Sequence, residues 1–224
     1  MFFSSRIKHV RDGDRVLEIG PGSTPHRRAN EFLEYDFDGA EERLRQRGDV
    51  SFEPDYGGRK VTFYRGERFP FRDGEFDYVI ASHVIEHVEN PVVFMSEICR
   101  VGGGRGYVEF PLPIYEYLYD FEVHKQFVWF DVESSTIKFF PKAATSLHTF
   151  AGITSALRRG FERGWDDVVA HNLKTFFFGI EFLNGMTAER ALQLAEFAPE
   201  EMSAGNTPSR RVGKRLSRLL QFLD

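Results

Sequence analysis

A glutamate stands just before two glycines at the end of a short apolar run. The stretch VLEIGPGSTPH places Glu18 ahead of Gly20 and Gly22. A glycine turn after a buried strand lets the backbone approach a ligand closely. A carboxylate beside that turn disfavours phosphate, because like charges in a partly buried site repel by several kcal/mol. The pattern therefore favours a ligand that is cationic, or rich in hydrogen-bond donors, near the turn.

The same turn does not fit a dinucleotide. In the pattern G-x-G-x-x-G counted from Gly20, the third glycine would stand where this chain has Pro25. That glycine normally allows the helix and strand to pack closely, so a dehydrogenase is disfavoured. S-adenosylmethionine meets both demands of the turn, because its ammonium and sulfonium are positive and its ribose carries two hydroxyl donors.

A second group of reactive side chains lies in HVIEH, from His83 to His87. The spacing matches H-x-x-E-H, in which one helix presents two histidines to a zinc ion. Here the motif directly follows a buried strand, and the helix signal Asn90-Pro91 comes only after it. Because the sequence identifies no third ligand, we predict no metal site, and a zinc hydrolase is a less favoured alternative.

Strands alternating with crossovers must position these residues. Apolar runs predict strands at 15–19, 31–36, 60–66, 76–82 and 106–111, and a helix at about 91–100. This alternation predicts an α/β fold with a doubly wound, mostly parallel sheet, whose ligands bind beyond the carboxyl ends of the strands.

The 224 residues are predicted to form one domain with its core at about 10–185. An aromatic-rich segment at about 111–150 is predicted to be a cap or insertion, and NLKTFFFGIEFL a late strand pair. The tail, about 186–224, is predicted to be helical. Its basic, amphipathic end RRVGKRLSRLLQFL could lie on a membrane or a partner, although a solvated helix is favoured.

Composition narrows the class of protein. The chain is 42% hydrophobic and 28% charged, which is typical of a globular protein, and its net charge of -5 is no signature of nucleic-acid binding. MFFSSRIKHV lacks the features of a secretory signal, and no later segment has the ~20 apolar residues of a membrane span. We therefore predict a cytoplasmic protein with no membrane span and no nucleic-acid partner, and leave its oligomeric state open.

Two blocks of the sequence resemble a known family. VLEIGPG, followed by FPFRDGEFDYVIASHVIEHVENPVVFMSEICRV, is similar to the class I S-adenosylmethionine-dependent methyltransferases, in particular the branch called methyltransferase type 11. The resemblance runs from about Val16 to Pro111 and is specific over Phe69 to Pro91. It implies a seven-stranded Rossmann-like sheet, S-adenosylmethionine as cofactor, and methyl transfer as activity.

Nine positions are predicted to hold the cofactor, most of them from the resemblance and Glu67 only as a possible substitute for an acid that the chain lacks: Glu18, Gly20, Pro21, Gly22, Glu34, Asp36, Glu67, Ser82 and His83. Glu18 would bind the ammonium of the methionine part, beside the glycine turn. Glu34, or alternatively Asp36, would accept the ribose hydroxyls at the end of the second strand. Ser82 and His83 would line the cofactor near the sulfonium.

Two positions depart from the family pattern. Thr24 stands where the loop commonly carries a third glycine, and Arg65 stands where an aspartate often binds the adenine amino group. Arginine cannot accept that hydrogen bond. Glu67 could substitute for the missing acid, or the adenine could be held by stacking and backbone contacts.

Methyl transfer is an in-line displacement at an activated carbon, so positioning can supply most of the rate. A general base is needed only if the acceptor is protonated. The predicted catalytic candidates are His124 in the cap, Glu109 at the end of the fifth strand, and His83, with His87 and Tyr115 as further possibilities.

The favoured interpretation is an S-adenosylmethionine-dependent methyltransferase acting on a small-molecule or sugar-like acceptor, with 111–150 as the acceptor wall. The alternative from Thr24 and Arg65 is a binding module of the same fold that has lost turnover. The sequence does not identify the acceptor, the atom methylated or the pathway.

Overall fold

The computed structural model describes residues 1–46, 54–161 and 169–197. Its strands are β1 (Val16–Ile19), β2 (Glu31–Tyr35), β3 (Lys60–Tyr64), β4 (Tyr78–Ser82), β5 (Gly106–Pro111), β6 (Gln126–Asp131), β7 (Thr136–Pro141), β8 (Phe177–Phe182) and β9 (Ala188–Arg190). Its α-helices are α1 (Ala40–Gln46), α2 (Pro91–Val101), α3 (Pro113–Tyr119), α4 (Ala151–Phe161) and α5 (Leu173–Phe176). The first five predicted strands and the helix after Asn90 are confirmed, with small differences at their ends.

The main sheet has the strand order β3-β2-β1-β4-β5-β8. Its first five strands are parallel, and β8 runs antiparallel to β5. The predicted α/β fold with a mostly parallel sheet is confirmed, although this sheet has six strands within the described residues rather than seven. The predicted late strand pair is the short helix α5 followed by β8. Strand order reverses between β1 and β4, which is where sheets of this kind bind ligands.

A second sheet lies in the later part of the chain. The hairpin β6–β7 is joined by β9, which runs parallel to β7. The prediction of helix is therefore wrong at Ala188–Arg190, because pairing with the edge of β7 satisfies the backbone there and overrides local propensity. Residues 198–224 of the predicted tail lie outside the described residues.

The larger core lies on one face of the main sheet. Leu17 and Val79 from the strands pack in one cluster with Phe94 of α2 and with Val128 and Phe139 of the second sheet. Because successive strand residues point to opposite faces, this arrangement turns Glu18 to the other face. There it is adjacent to Phe32 and Ile80 in the strand register.

The amino-terminal segment, Met1–Val10, covers part of that other face. Met1, Ile7 and Val10 pack against a small cluster of strand residues that includes Val16 and Tyr107. Between β1 and β2 the chain forms turns and no helix. The amino-terminal segment therefore covers apolar sheet surface close to a crossover that has no helix of its own.

In the parts of the chain that are described, no helix has the length and apolar character needed to cross a bilayer.

Candidate active site

A cleft opens at the carboxyl ends of β1, β2 and β4, where the strand order reverses. Its lining residues are Ile19, Gly20, Gly22, Leu33, Glu34, Tyr35, Phe37, Gln46, Tyr64, His83, Val84 and His87. Four of the nine predicted cofactor positions, Gly20, Gly22, Glu34 and His83, are therefore brought together around one cleft. Ligands of doubly wound sheets bind at this position, so the cleft is the candidate cofactor site.

The turn after β1 requires glycine. Gly20 and Gly22 have φ angles of +56° and +60°, which side chains other than glycine rarely adopt. A Cβ atom on Gly20 would lie 2.9 Å from Cγ2 of Val84, whereas one on Gly22 would meet nothing within 4 Å. The Gly20 amide also donates to the carbonyl of Leu33 at 3.0 Å, which fixes the turn against β2.

This difference predicts that Gly20→Ala destabilises the protein more than Gly22→Ala. Both substitutions introduce backbone strain of about 1–2 kcal/mol, and only the first forces a methyl group against Val84, at a further cost of about 1 kcal/mol. Chemical denaturation of the two variants measures the difference. Equal losses of stability would show that Val84 moves aside freely and that the close approach has no energetic consequence.

Glu18 lies below the turn and does not line the cleft. The residue is only 3% exposed, and its Oε2 accepts a hydrogen bond from the backbone amide of His26 at 2.7 Å. Burial raises the pKa of Glu18 to about 7, against the opposing effects of that hydrogen bond and of nearby positive charges. The carboxylate therefore braces the loop from Gly20 to His26, and its desolvated charge is incompletely compensated within the described residues.

At the end of β2 the two candidate acids differ in their surroundings. Glu34 is buried, lines the cleft and accepts a hydrogen bond from the Tyr56 hydroxyl at 2.8 Å. Asp36 is half-exposed and pairs with Nε of Arg65 at 2.9 Å, while Nη1 of the same arginine pairs with Asp38 at 2.7 Å. Of the two acids, the geometry favours Glu34 as the one that faces a ligand.

The other predicted cofactor positions lie outside the cleft lining. Glu67 is exposed, and Pro21 is buried within the glycine turn. The Ser82 hydroxyl donates to Oε1 of Glu109 at 3.2 Å, behind the cleft. The structure therefore gives Glu67 no contact with the cleft that would let it replace the missing adenine-binding acid.

Glu109 is completely buried and fully used as an acceptor. Its donors are the amides of Phe2 (2.7 Å) and Phe3 (2.9 Å), the Tyr107 hydroxyl (2.6 Å), the Ser82 hydroxyl (3.2 Å) and Nε2 of His83 (3.1 Å). Burial alone would raise its pKa, but these partners hold the pKa at about 2. These contacts favour a role for the carboxylate as an anchor of the amino-terminal segment, and the role of Glu109 as a general base stays a prediction from the sequence.

His83 lies between two buried carboxylates. Its Nε2 is 3.1 Å from Oε1 of Glu109, and its Nδ1 is 3.4 Å from Oε1 of Glu86. Burial opposes protonation, but the two acids raise the pKa of His83 to about 9. These two contacts favour the charged form of the ring, and the role of His83 as a base stays a prediction from the sequence. Its φ of +58° is unusual for histidine and fits a position held tightly by its neighbours.

His124 stands just beyond the cleft. Its ring centroid is 4.6 Å from that of His87, which lines the cleft. Its Nδ1 forms a short hydrogen bond with the fully buried Glu116, and that carboxylate is also bound by Nζ of Lys142 at 3.0 Å. The helix α3 and the residues before β6 thus hold this ring in one orientation beside the cofactor site.

The contribution of Phe2 and Phe177 was not predictable from the sequence. Their rings lie 5.3 and 5.4 Å from the His83 ring, and 4.4 Å from each other. Tyr115 from the predicted acceptor wall continues this aromatic surface, 4.7 Å from Phe177. The abundance of phenylalanine was the only available signal, and it does not specify which rings meet.

Residues 26–110 match the family model described as a methyltransferase domain. The predicted resemblance is confirmed. The family's methyl donor is S-adenosylmethionine, the predicted cofactor. The matched residues include Glu34, His83 and Glu109, and begin after the glycine turn. No curated protein matches the chain significantly.

Solved methyltransferase structures resemble the chain over about half of its length. A Thermotoga maritima S-adenosylmethionine-dependent methyltransferase shares 22% identity over 48% of each chain, with a TM-score of 0.33. A Mesorhizobium loti methyltransferase shares 18% over 57% of each chain, with a TM-score of 0.34. One chain in a Haloferax volcanii complex of a methyltransferase with its activator Trm112 has 20% sequence identity to this chain. The match covers 46% of this chain and 47% of that one, with a TM-score of 0.33. The chain spans about half the length of each of these relatives.

Proposed function

We propose that the protein binds S-adenosylmethionine in the cleft at the carboxyl ends of β1, β2 and β4, and transfers its methyl group to a small-molecule acceptor. The observation that carries this proposal is the combination of Gly20, Gly22 and Glu34 around one cleft, with buried Glu18 directly beneath. A positively charged ligand would compensate the desolvated charge of Glu18, whereas a phosphate would add to it.

Three parts of the cofactor find complementary surroundings. The glycine turn, with its accessible backbone groups and the negative charge of Glu18, would hold the methionine end. Glu34 would accept from the ribose hydroxyls. Tyr35 and Tyr64, whose rings are 5.4 Å apart and line the cleft, would hold the adenine. Contacts with these rings take the place of the acid that is absent at Arg65.

The acceptor lies on the side of His83, Tyr115 and Phe177, where aromatic rings form an apolar surface. Because Glu109 and His83 are bound to each other, we assign neither of them to proton transfer. His124 is the predicted catalytic residue that this proposal retains, since Glu116 holds Nδ1 and directs Nε2 toward another partner. A sugar-like acceptor and a cytoplasmic location remain predictions from the sequence.

Calorimetry tests the proposal directly. S-adenosylmethionine and its demethylated product should each bind to the purified protein with one site per chain. Release of S-adenosylhomocysteine during a screen of small-molecule acceptors should then identify the reaction. Binding without product release from any acceptor would support the silent binding module, and no binding of either compound at millimolar concentration would exclude the proposed activity.

His124→Ala should reduce turnover at least about tenfold, with cofactor affinity changed less than about threefold. General acid–base contributions are typically 100-fold or more, and His124 lies outside the lining of the cofactor cleft. The measurement is the rate of S-adenosylhomocysteine release together with calorimetry. The exposed His148 provides the control variant His148→Ala. Equal activity of the two variants would assign His124 a structural role.

A further inference from the structure

Glu86 is a buried carboxylate without a hydrogen-bond partner. Its side chain has no exposed surface, and within the described residues neither oxygen receives a hydrogen bond. His83 lies at an ion-pair distance, with Nδ1 3.4 Å from Oε1, but is bound through its other nitrogen to Glu109. Buried carboxylates normally accept several hydrogen bonds or bind a metal, so the single long contact with His83 leaves most of the acceptor capacity of Glu86 unused.

Two imidazole rings lie beside this carboxylate. A ligand atom from each of Glu86, His87 and His124 lies within 4.8 Å of the other two. Zinc binds nitrogen and oxygen ligands at roughly 2.0–2.2 Å, which places neighbouring ligand atoms about 3.4 Å apart in a tetrahedral site. Side-chain movements on the order of 1 Å would therefore bring all three ligands onto one ion.

Both rings are oriented in the way that metal ligands usually are. Nδ1 of His124 is bound by Glu116, and Nδ1 of His87 lies 3.0 Å from Oε1 of Gln46. In metal sites, such outer partners fix the ring and leave the other nitrogen for the ion. Nε2 is accordingly the available nitrogen on both rings.

We propose that Glu86, His87 and His124 bind one divalent transition-metal ion, of which zinc is the best-matched example. Two imidazoles and one carboxylate suit zinc better than calcium or magnesium, which take mainly oxygen ligands. The three ligands leave a fourth position open for water or another ligand. This inference goes beyond methyl transfer and does not depend on it.

The location gives such an ion a mechanical role. Glu86 and His87 belong to the 3-10 helix Ile85–His87 after β4, whereas His124 belongs to the residues between α3 and β6. The Lys125 amide already donates to the Glu86 carbonyl at 2.7 Å. The ion would add a further link between the edge of the cofactor cleft and the predicted cap. With the ion bound His124 is a ligand, so the proton-transfer role proposed above applies to the metal-free protein.

This site differs from the zinc pattern in the sequence. In H-x-x-E-H, the ligands would be His83 and His87 on one helix, but His83 is held by Glu109 and the motif forms only a short 3-10 turn. The structure instead brings together the glutamate, the second histidine and a distant third residue.

Zinc titration of the metal-stripped full chain tests the proposal without any activity assay. The wild-type protein should bind one Zn²⁺ per chain, and X-ray absorption of the zinc-loaded protein should show two imidazole nitrogens and a carboxylate oxygen. Glu86→Gln and His124→Ala should each weaken binding at least 100-fold. Glu116→Gln, which changes only an outer partner, should weaken it about 10- to 100-fold.

His148→Ala is the matched control and should bind zinc like the wild type. Circular dichroism establishes whether each variant is folded, and if the cluster variants fail to fold, the absorption spectrum of the wild type decides. The proposal is overturned if the wild type shows no saturable zinc binding, if the spectrum lacks two imidazoles, or if folded Glu86→Gln and His124→Ala bind zinc as tightly as the wild type.

Discussion

Glu18→Gln should weaken S-adenosylmethionine binding by about 10- to 100-fold, because a hydrogen bond or close contact to a charged group contributes about 1.5–3 kcal/mol. The glutamine carbonyl can still accept the hydrogen bond from His26, so the loop should keep its conformation. The substitution therefore removes the negative charge beneath the glycine turn and little else. Calorimetry on folded protein measures the effect.

The same substitution should stabilise the ligand-free protein at pH 8. The pKa of Glu18 rises from 4.5 to about 7 on folding, so the folded state holds this proton more tightly than the unfolded state does. Stability therefore decreases as pH rises from 4.5 to 7, and above this window the ionised carboxylate costs on the order of 3 kcal/mol. A variant that is more stable but binds the cofactor less well would show a site maintained at the expense of stability.

Glu31→Gln is the matched control, because Glu31 is also a buried carboxylate. Glu31 lies at the amino end of β2, away from the cleft, and pairs with Lys60 at 2.6 Å. It should leave cofactor affinity unchanged. Wild-type affinity should also increase as pH rises toward 8, because the ionised form of Glu18 binds the cation. Unchanged affinity in Glu18→Gln would mean that Glu18 only braces the loop.

Glu109→Gln should destabilise the protein by about 3 kcal/mol, because breaking a buried, hydrogen-bonded ion pair leaves His83 short of a partner. A glutamine also cannot accept hydrogen bonds at both ends from the Phe2 and Phe3 amides. The amino-terminal segment should therefore detach more readily. Hydrogen exchange at Phe2 and Phe3, together with chemical denaturation, measures both effects.

Acid titration gives this prediction a second test. The pKa of Glu109 falls from 4.5 to about 2 on folding, so its contribution is fully present above pH 4.5 and is lost as pH decreases toward 2. Glu109→Gln should flatten the stability profile over that range. As the control, Glu181→Gln alters another carboxylate bonded to the amino-terminal segment, through the amides of Lys8 and His9, and should cost less because that site is more exposed.

A loss of turnover in Glu109→Gln with normal stability and normal protection of Phe2 and Phe3 would contradict the anchor role. It would restore Glu109 as a catalytic base, as the sequence position suggested. The two outcomes are distinguishable because stability and exchange are measured without substrate.

The parts of the fold that depend on local pattern were predictable. Short apolar runs ending in glycine or proline identified β1 to β5, and Asn90 before Pro91 located the start of α2, where its side chain accepts from the Val93 amide at 3.3 Å. Elements that depend on distant partners were not predictable. Strand β9 forms because β7 offers a free edge to Ala188–Arg190, and no property of that segment alone specifies it.

The candidate site also contains residues that were predictable from local pattern and residues that were not. The order of strands and turns predicts that Gly20, Gly22 and Glu34 lie close together. The carboxyl ends of parallel strands meet at one edge of the sheet. The partners of His83 and Glu109 could not be read from the sequence, since they include backbone amides at the start of the chain. Glu86 and His124 are likewise far apart in sequence, and the packing of β6 against the 3-10 turn Ile85–His87 brings them together.

The most direct measurement of the central claim is a crystal structure of the protein soaked with S-adenosylhomocysteine. The proposed function predicts density in the cleft at the carboxyl ends of β1, β2 and β4, with the amino acid end along Gly20 and the ribose hydroxyls bonded to Glu34. An empty cleft at saturating ligand, or a ligand bound elsewhere on the protein, would contradict it.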